Sequence, residues 1–340
     1  MLYIGLDVHK EFCQACVIDE SGRALSNERF SSTSEELDRF LDRFQDAKFV
    51  LESTGIWEFI YEGIEKRGFE AVLAHPLRVR AIAEARVKTD KVDAETLAQL
   101  LRADLIPKSW IPPKDIRDLR QLVRQRAYLV RQASRFKNRI HAEILRRGVR
   151  RPGNLKTPFS QKSIDWMHPL SIPTVTSCLN CLENVQAQIE EMNIQLLEEY
   201  SRRPDAQLIS TVPGIGFYGA LLILAEIDDV RRFRHPEKLC AYAGLVPTVS
   251  QSASCVRYGS ISKDGSAYLR WILTESVHVH TRYEPGSQLS SFHARVARRC
   301  GKRIATVATA RKLLRIVYWM LVRHEPYHSH GFNPVKRLHC

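Results

Sequence analysis

Leu2-Tyr-Ile-Gly-Leu-Asp7, Phe12-Cys-Gln-Ala-Cys-Val-Ile18 and Ala24-Leu-Ser-Asn-Glu-Arg-Phe30 are three short runs of strand character whose order and spacing decide the fold. The first run alternates, and Gly22 supplies the turn into the third, so the three form an antiparallel meander. Thr33 or Ser34 then caps a helix with Leu37, Phe40, Leu41 and Phe44 on one face. Lys48 to Leu51 is a short buried strand ending at Glu52. A helix from about Ile56 to Lys66 stops at Gly68, and Glu70 to Ala74 is a further strand before Pro76. The order is β-β-β-α-β-α-β-α.

A meander followed by alternating helix and strand implies a mixed sheet with helices on its faces, the arrangement of the ribonuclease-H-like α/β fold. In such sheets the ligand site forms beyond the strand C-termini, where Asp7 and Glu52 fall. Asp7 shares a strand face with Tyr3 and Gly5. Asp90 and Asp93, in Lys88-Thr-Asp-Lys-Val-Asp-Ala94, stand three apart at a helix start and so lie on one face of it. Converging carboxylates repel one another, so a hard divalent cation is their natural occupant, Mg²⁺ by default with Mn²⁺ as the variant. Two such ions activate a nucleophile and stabilise a leaving oxygen in phosphoryl transfer. Taken singly, Asp90 reads equally as a helix-dipole acid and Glu52 as a surface residue.

The charge balance points to a polyanionic partner. The chain of 340 residues carries 51 Lys plus Arg against 38 Asp plus Glu, a net charge of +13. From Lys114 to Arg151 there are thirteen Lys/Arg and three acids, and a second block from Arg295 to Arg323 holds nine Lys/Arg and no acid. The longest apolar run, Phe217 to Ala225, is far short of the roughly 20 residues that cross a bilayer. Asp7 interrupts a signal-peptide reading, so a cytoplasmic protein is expected. Two C-x-x-C pairs, Cys13/Cys16 and Cys178/Cys181, invite a zinc reading. In a strand, however, positions three apart face opposite sides, so Cys13 and Cys16 cannot converge, and buried reduced thiols are the better expectation.

After Pro112-Pro113 apolar residues recur at three- and four-residue steps from Ile116 to Leu145, predicting one long basic helix. A second helix from about Pro173 to Tyr200 carries more acids, and antiparallel pairing of the two would make a coiled-coil spacer. Beyond Pro204, Leu208-Ile-Ser-Thr-Val-Pro-Gly-Ile-Gly216 precedes an apolar helix to Ile227. Helix, glycine turn and helix have the form of a helix-hairpin-helix, which holds a DNA phosphate in some proteins and is a plain core turn in others. The expected division is residues 1–112, a catalytic domain; 113–204, the helical spacer; and 205–330, a mainly α C-terminal domain.

Gly5-Leu-Asp-Val-His-Lys10, Leu51-Glu-Ser-Thr-Gly55, His75-Pro76 and Lys88-Thr-Asp-Lys-Val-Asp-Ala94 together resemble the DEDD transposases of the insertion-sequence one-ten family. The resemblance continues through Val212-Pro-Gly-Ile-Gly216, Ala241-Tyr-Ala-Gly-Leu-Val-Pro247, Gly259-Ser-Ile-Ser-Lys-Asp-Gly265 and Tyr268-Leu-Arg270. It implies a RuvC-like N-terminal domain whose metal ligands are Asp7, Glu52, Asp90 and Asp93. It also implies a C-terminal transposase domain with a serine that attacks DNA. Counting from Leu245-Val-Pro247 places that serine at Ser252, although Ala253 stands where glycine is usual and Ser250, Ser254, Ser260 and Ser262 crowd around it. The resemblance further implies donor and target DNA as partners, guidance by a noncoding bridge RNA, and action as a homo-oligomer, dimer or tetramer.

A serine hydroxyl is a weak nucleophile unless a base or metal stands beside it, which suggests a composite site. The cationic residues expected to hold nucleic acid are Arg117, Arg120, Arg124, Arg131, Arg135, Lys137, Arg139, Lys263 and Arg270. Two other readings stay open. A hydrolytic nuclease or junction resolvase would use the same carboxylates without a covalent intermediate, and a nucleic-acid-binding protein with a degenerate site would need none of them.

Overall fold

The computed structural model describes residues 1–83, 89–252 and 255–329, with the side chains of 249–258 outside the description. The chain divides into two compact units, Met1–Ile111 and Pro112 onward.

The first unit is built on β1 (Leu2–Val8), β2 (Phe12–Ile18) and β3 (Ala24–Ser31), followed by α1 (Ser34–Leu41), β4 (Ala47–Glu52), α2 (Trp57–Lys66), β5 (Glu70–Ala74), α3 (Pro76–Ile82) and α4 (Asp90–Arg102). The strands form one sheet in the order β3-β2-β1-β4-β5. β1, β2 and β3 run antiparallel, while β4 and β5 lie parallel to β1 and to each other. The mixed sheet expected from the sequence is present. α3 is an addition to that expectation: Pro76 at its first turn sets φ for a helix start, but seven residues are too few to show a period.

Each face of the sheet has its own cover. Leu6, Val8, Cys13, Phe49 and Leu51 face α1 and α2 through Leu37, Phe40, Leu41, Ile60 and Ile64. On the other face Val50 packs with Leu97, Leu100 and Leu101 of α4, and Cys16 and Ile18 pack with Ala94 and Ala98. Cys13 and Cys16 therefore lie on opposite faces, and burial raises both thiols, Cys16 to about 11. They stay protonated at neutral pH, and from opposite faces they cannot share one zinc ion.

Gly5 fixes how closely α4 approaches. A Cβ there would lie 2.0 Å from the Ala94 carbonyl oxygen and 2.6 Å from the Ala98 nitrogen, so only glycine lets helix and strand backbones touch.

In the second unit come α5 (Lys114–Arg146), α6 (Gln161–Met167), α7 (Pro173–Ser201), α8 (Pro204–Ile209), α9 (Phe217–Ile227) and α10 (Pro236–Tyr242). They are followed by β6 (Pro247–Ser252), β7 (Cys255–Ile261), α11 (Ala267–Tyr283), α12 (Gln288–Cys300) and α13 (Lys302–Arg323). α5 and α7 pack antiparallel: Ile140 and Ile144 meet Val175, Leu179 and Leu182 near one end, while Arg126 reaches Asn193 nearer the other. α9 is apolar apart from Glu226 and buried at every position beyond Phe217, the pattern of a central core helix. Among the described residues no helix is long and apolar enough to cross a membrane.

The glycine turn before α9 is tightly enclosed. Gly214 has φ +97°, and a Cβ on it would meet the backbone of His280 at 2.7 Å and of Ser276 at 2.9 Å. His280, fully buried, faces the Pro213 carbonyl with Nδ1 at 2.7 Å and Ser287 Oγ with Nε2 at 2.9 Å. The preceding helix α8 is only six residues long. These contacts favour the core-turn reading of Val212-Pro-Gly-Ile-Gly216.

The antiparallel pair β6–β7 falls in a region whose sequence reads as mainly α. Val249, Val256, Tyr258 and Ile261 give it β-branched and aromatic character, but interspersed serines and Gly259 mask the alternation.

Candidate metal centre and nucleic-acid contacts

Three elements bring the predicted carboxylates together. Leu6 of β1 is registered against Leu51 of β4, so Asp7 and Glu52 are level and on the same sheet face. That face already carries Gly5 and Val50 beneath α4. α4 begins at Asp90, its N-cap Thr89 accepting a hydrogen bond from the Val92 amide, and so lays Asp90 and Asp93 over the same end of the sheet. Asn27 ties this first turn down by donating to the Lys91 carbonyl at 3.2 Å, and Gln14 holds Asn27 at 2.7 Å. Asp7, Glu52, Asp90 and Asp93 line one cavity of about 440 Å³, together with His9, Leu77, Arg80 and Thr96.

The electrostatics match a cation site. Burial pushes the Asp7 carboxyl up, His9 opposes that shift, and the charges of Asp93 and Asp90 add to it. Ligand atoms of Asp7, His9 and Asp90 lie within 4.8 Å of one another. A divalent cation would relieve the mutual repulsion and find oxygen donors on β1, β4 and α4, so these residues fit a metal.

His9 and Arg29 join the site although the sequence reading singles out neither. His9 Nε2 is 3.1 Å from Asp7 Oδ2, and Arg29 donates to Asp90 Oδ2 at 3.0 Å. For Arg29 the signal lies in the register: Asp7 pairs with Gln14 and Gln14 with Arg29, a cross-strand row on one face that the meander makes readable.

Ser252 is the last residue of β6, paired with Cys255, and its side chain lies outside the described residues. Ser250 is likewise described by backbone alone, and Ser254 lies outside the described residues.

The cationic residues separate into three groups. Arg117 is buried and donates to the Pro112 carbonyl at 2.9 Å. Arg120 donates twice to Ala225 O, at 2.9 and 2.7 Å, closing a carbonyl in the last turn of α9. Arg124 makes a two-pronged pair with Glu226 at 2.8 and 3.0 Å, and Arg270 donates to Ala243 O at 3.1 Å and Gly265 O at 3.3 Å. These four guanidinium groups are engaged in holding the fold, a use that a charge count cannot distinguish from phosphate contact. Arg131 donates to Tyr268 Oη at 3.0 Å, and Lys137 lies 5.7 Å from the centre of the Phe159 ring. Arg135, Arg139 and Lys263 are exposed.

Because Glu226 is only 1% exposed, Arg124→Ala leaves a carboxylate buried with weaker compensation from Arg120. The expected cost is about 2–3 kcal/mol of stability. Urea unfolding checks it, with Glu226→Gln in the Arg124→Ala background restoring part of the loss.

A mixed sheet with a carboxylate-lined cavity at one end, followed along the chain by a basic helical unit, is an arrangement suited to metal-assisted phosphoryl transfer on a polyanion. Comparison with known proteins narrows the reading. Residues 4–147 match the family described as transposase of the DEDD IS110 type, and residues 206–293 match the family described as Transposase IS116/IS110/IS902. The chain is 24% identical over 338 residues to the transposase for insertion sequence element IS1111A of Coxiella burnetii, covering 95% of this chain and 90% of the relative. It is 26% identical over 322 residues to the transposase for IS1328 of Yersinia enterocolitica, covering 93% and 95%. A pilin gene-inverting protein of Moraxella lacunata is 26% identical over 344 residues, covering 96% and 97%. The chain belongs to the IS110 family of DNA transposases and recombinases.

Proposed function

We propose that the chain cleaves and rejoins DNA strands with a divalent metal held by Asp7, Glu52, Asp90 and Asp93, and with Ser252 as the nucleophile. The observation that carries this reading is the cavity shared by the four carboxylates, with Asp7 under the repulsion of Asp90 and Asp93. When bound, a divalent cation, Mg²⁺ or Mn²⁺, supplies charge stabilisation for the phosphate undergoing substitution. The chain's own residues orient it: β1 and β4 fix Asp7 and Glu52, and the capped start of α4 fixes Asp90 and Asp93.

In the chemical step the Ser252 Oγ–phosphorus bond forms as one strand P–O bond breaks. The serine proton departs, and the released DNA oxygen takes one up. The phosphodiester is exchanged for a phosphoserine ester, so reversal of the same step with a different DNA hydroxyl rejoins strands without another energy source. Exposed Arg135, Arg139 and Lys263 hold phosphates, and donor and target DNA are selected by a noncoding bridge RNA, with the protein acting as a homo-oligomer. The family membership supports DNA as the substrate, and the net charge of +13 supports a polyanionic partner. The division into a RuvC-like domain, a coiled-coil spacer and a C-terminal transposase domain belongs to the same reading.

The test is to incubate the protein with labelled DNA, guide RNA and Mg²⁺ and denature it. The expected result is a protein–DNA adduct whose attachment maps to Ser252 and which is lost in Ser252→Ala. An adduct surviving in that variant overturns the serine assignment, and cleavage with no adduct in the wild type leaves a hydrolytic nuclease.

A further inference from the structure

His9 faces the same cavity as the four carboxylates. Its Nε2 lies 3.1 Å from Asp7 Oδ2 and 3.4 Å from Asp90 Oδ1. Adjacent ligands on an octahedral ion with bonds near 2.1 Å stand about 3 Å apart, so this spacing suits neighbouring ligands of a common cation.

The position is also held by several contacts. The His9 amide donates to the Phe12 carbonyl at 2.9 Å, and its own carbonyl accepts from Ser32 Oγ at 2.9 Å. The imidazole lies against the Phe12 ring, centroids 4.6 Å apart. Phe12 is in turn covered by the Arg29 guanidinium at 3.8 Å, and that guanidinium holds Asp90. A closed circuit of contacts through Asp7, His9, Phe12, Arg29 and Asp90 thus aims one imidazole nitrogen between two carboxylates. A histidine that merely solvated the β1–β2 turn would need none of this support, though a hydrogen-bond partner that only orients Asp7 would share it.

We infer that His9 is a nitrogen ligand to the divalent cation of the Asp7–Asp90 site and that it selects Mn²⁺ over Mg²⁺. This rests on the proposed metal dependence. Mg²⁺ favours oxygen donors and sheds water reluctantly, whereas imidazole raises the relative affinity of the transition ions.

The experiment is Mn²⁺ binding to the full chain followed by electron paramagnetic resonance, with pulsed detection of directly bonded nitrogen and with Mg²⁺ as competitor. Wild type is expected to show a nitrogen coupling and to release Mn²⁺ only to a large excess of Mg²⁺. In His9→Ala the coupling disappears, Mn²⁺ affinity falls by roughly tenfold or more, and the preference over Mg²⁺ narrows. His9→Gln, which keeps a polar side chain beside Asp7, also lacks the coupling. If wild type binds Mn²⁺ with no nitrogen coupling and His9→Ala binds it equally, the inference is overturned while the carboxylate metal site stands. If no Mn²⁺ binds in a manner that Asp7→Asn removes, the metal reading fails and takes this inference with it.

Discussion

Asp7→Asn is expected to lower DNA strand cleavage by on the order of 10³-fold or more while raising the thermal stability of protein kept in chelator at neutral pH. Both effects follow from one environment. Asp7 is half-buried, beside Asp90 and Asp93, and burial first and those charges second push its carboxyl above the ordinary carboxylate range. A folded-state pKa above the unfolded one means that the native state binds its proton more tightly. Stability therefore falls as pH rises from the ordinary carboxylate range through the raised value, and the deficit is complete above it. Asparagine removes the charge and keeps an acceptor for His9, so the variant melts above wild type at pH 7, and the gap closes as pH drops below the ordinary range. Adding Mg²⁺ or Mn²⁺ raises the melting temperature of wild type but not of the variant. Differential scanning calorimetry across pH, with and without metal, checks both signs. A variant less stable than wild type in chelator would mean that Asp7 serves the fold rather than the chemistry.

Gly5→Ala is the second large effect. Mid-strand, alanine normally improves on glycine by limiting the unfolded chain. Here the added methyl would meet the Ala94 carbonyl oxygen at 2.0 Å and the Ala98 nitrogen at 2.6 Å, both backbone atoms with no rotamer to yield. α4 must lift from β1, at a cost of about 3 kcal/mol or more. Asp90 and Asp93 ride on the first turn of α4, so activity falls even in molecules that remain folded. Denaturant unfolding and cleavage rates measured together are expected to fall together. Unchanged stability would show that the helix tolerates displacement, and the close-approach account of Gly5 would be wrong.

Much of the first unit is legible in the sequence because its strands are short apolar or alternating runs bounded by turn residues and its helices carry strong apolar faces. The site is legible for a further reason. Asp7, Glu52, Asp90 and Asp93 each stand at or near the end of an element, where a charge is tolerated and sequence position predicts spatial position. Arg29 is harder to see because its meaning lies in cross-strand register: it becomes a neighbour of Asp90 only once Asp7, Gln14 and Arg29 share a row beneath α4, while His9, just past β1, reaches Asp7 from the turn into β2. The basic helix carries the opposite ambiguity. Lys and Arg spaced along α5 look alike in sequence, but Arg120 and Arg124 face the buried end of α9, where an orphan carbonyl and Glu226 recruit them. Only the contacts divide those structural cations from exposed Arg135 and Arg139. The β6–β7 pair is obscured by serine and glycine, which carry little propensity, in the segment where Ser252 falls.

Crystals grown with Mn²⁺ and measured at the manganese absorption edge decide whether the four carboxylates form the metal centre. The expected result is an anomalous peak in the cavity between Asp7, Glu52, Asp90 and Asp93, absent in Asp7→Asn. Cleavage-competent protein whose Mn²⁺ peak lies outside that cavity, or persists unchanged in Asp7→Asn, would contradict the assignment of these carboxylates as the catalytic metal centre.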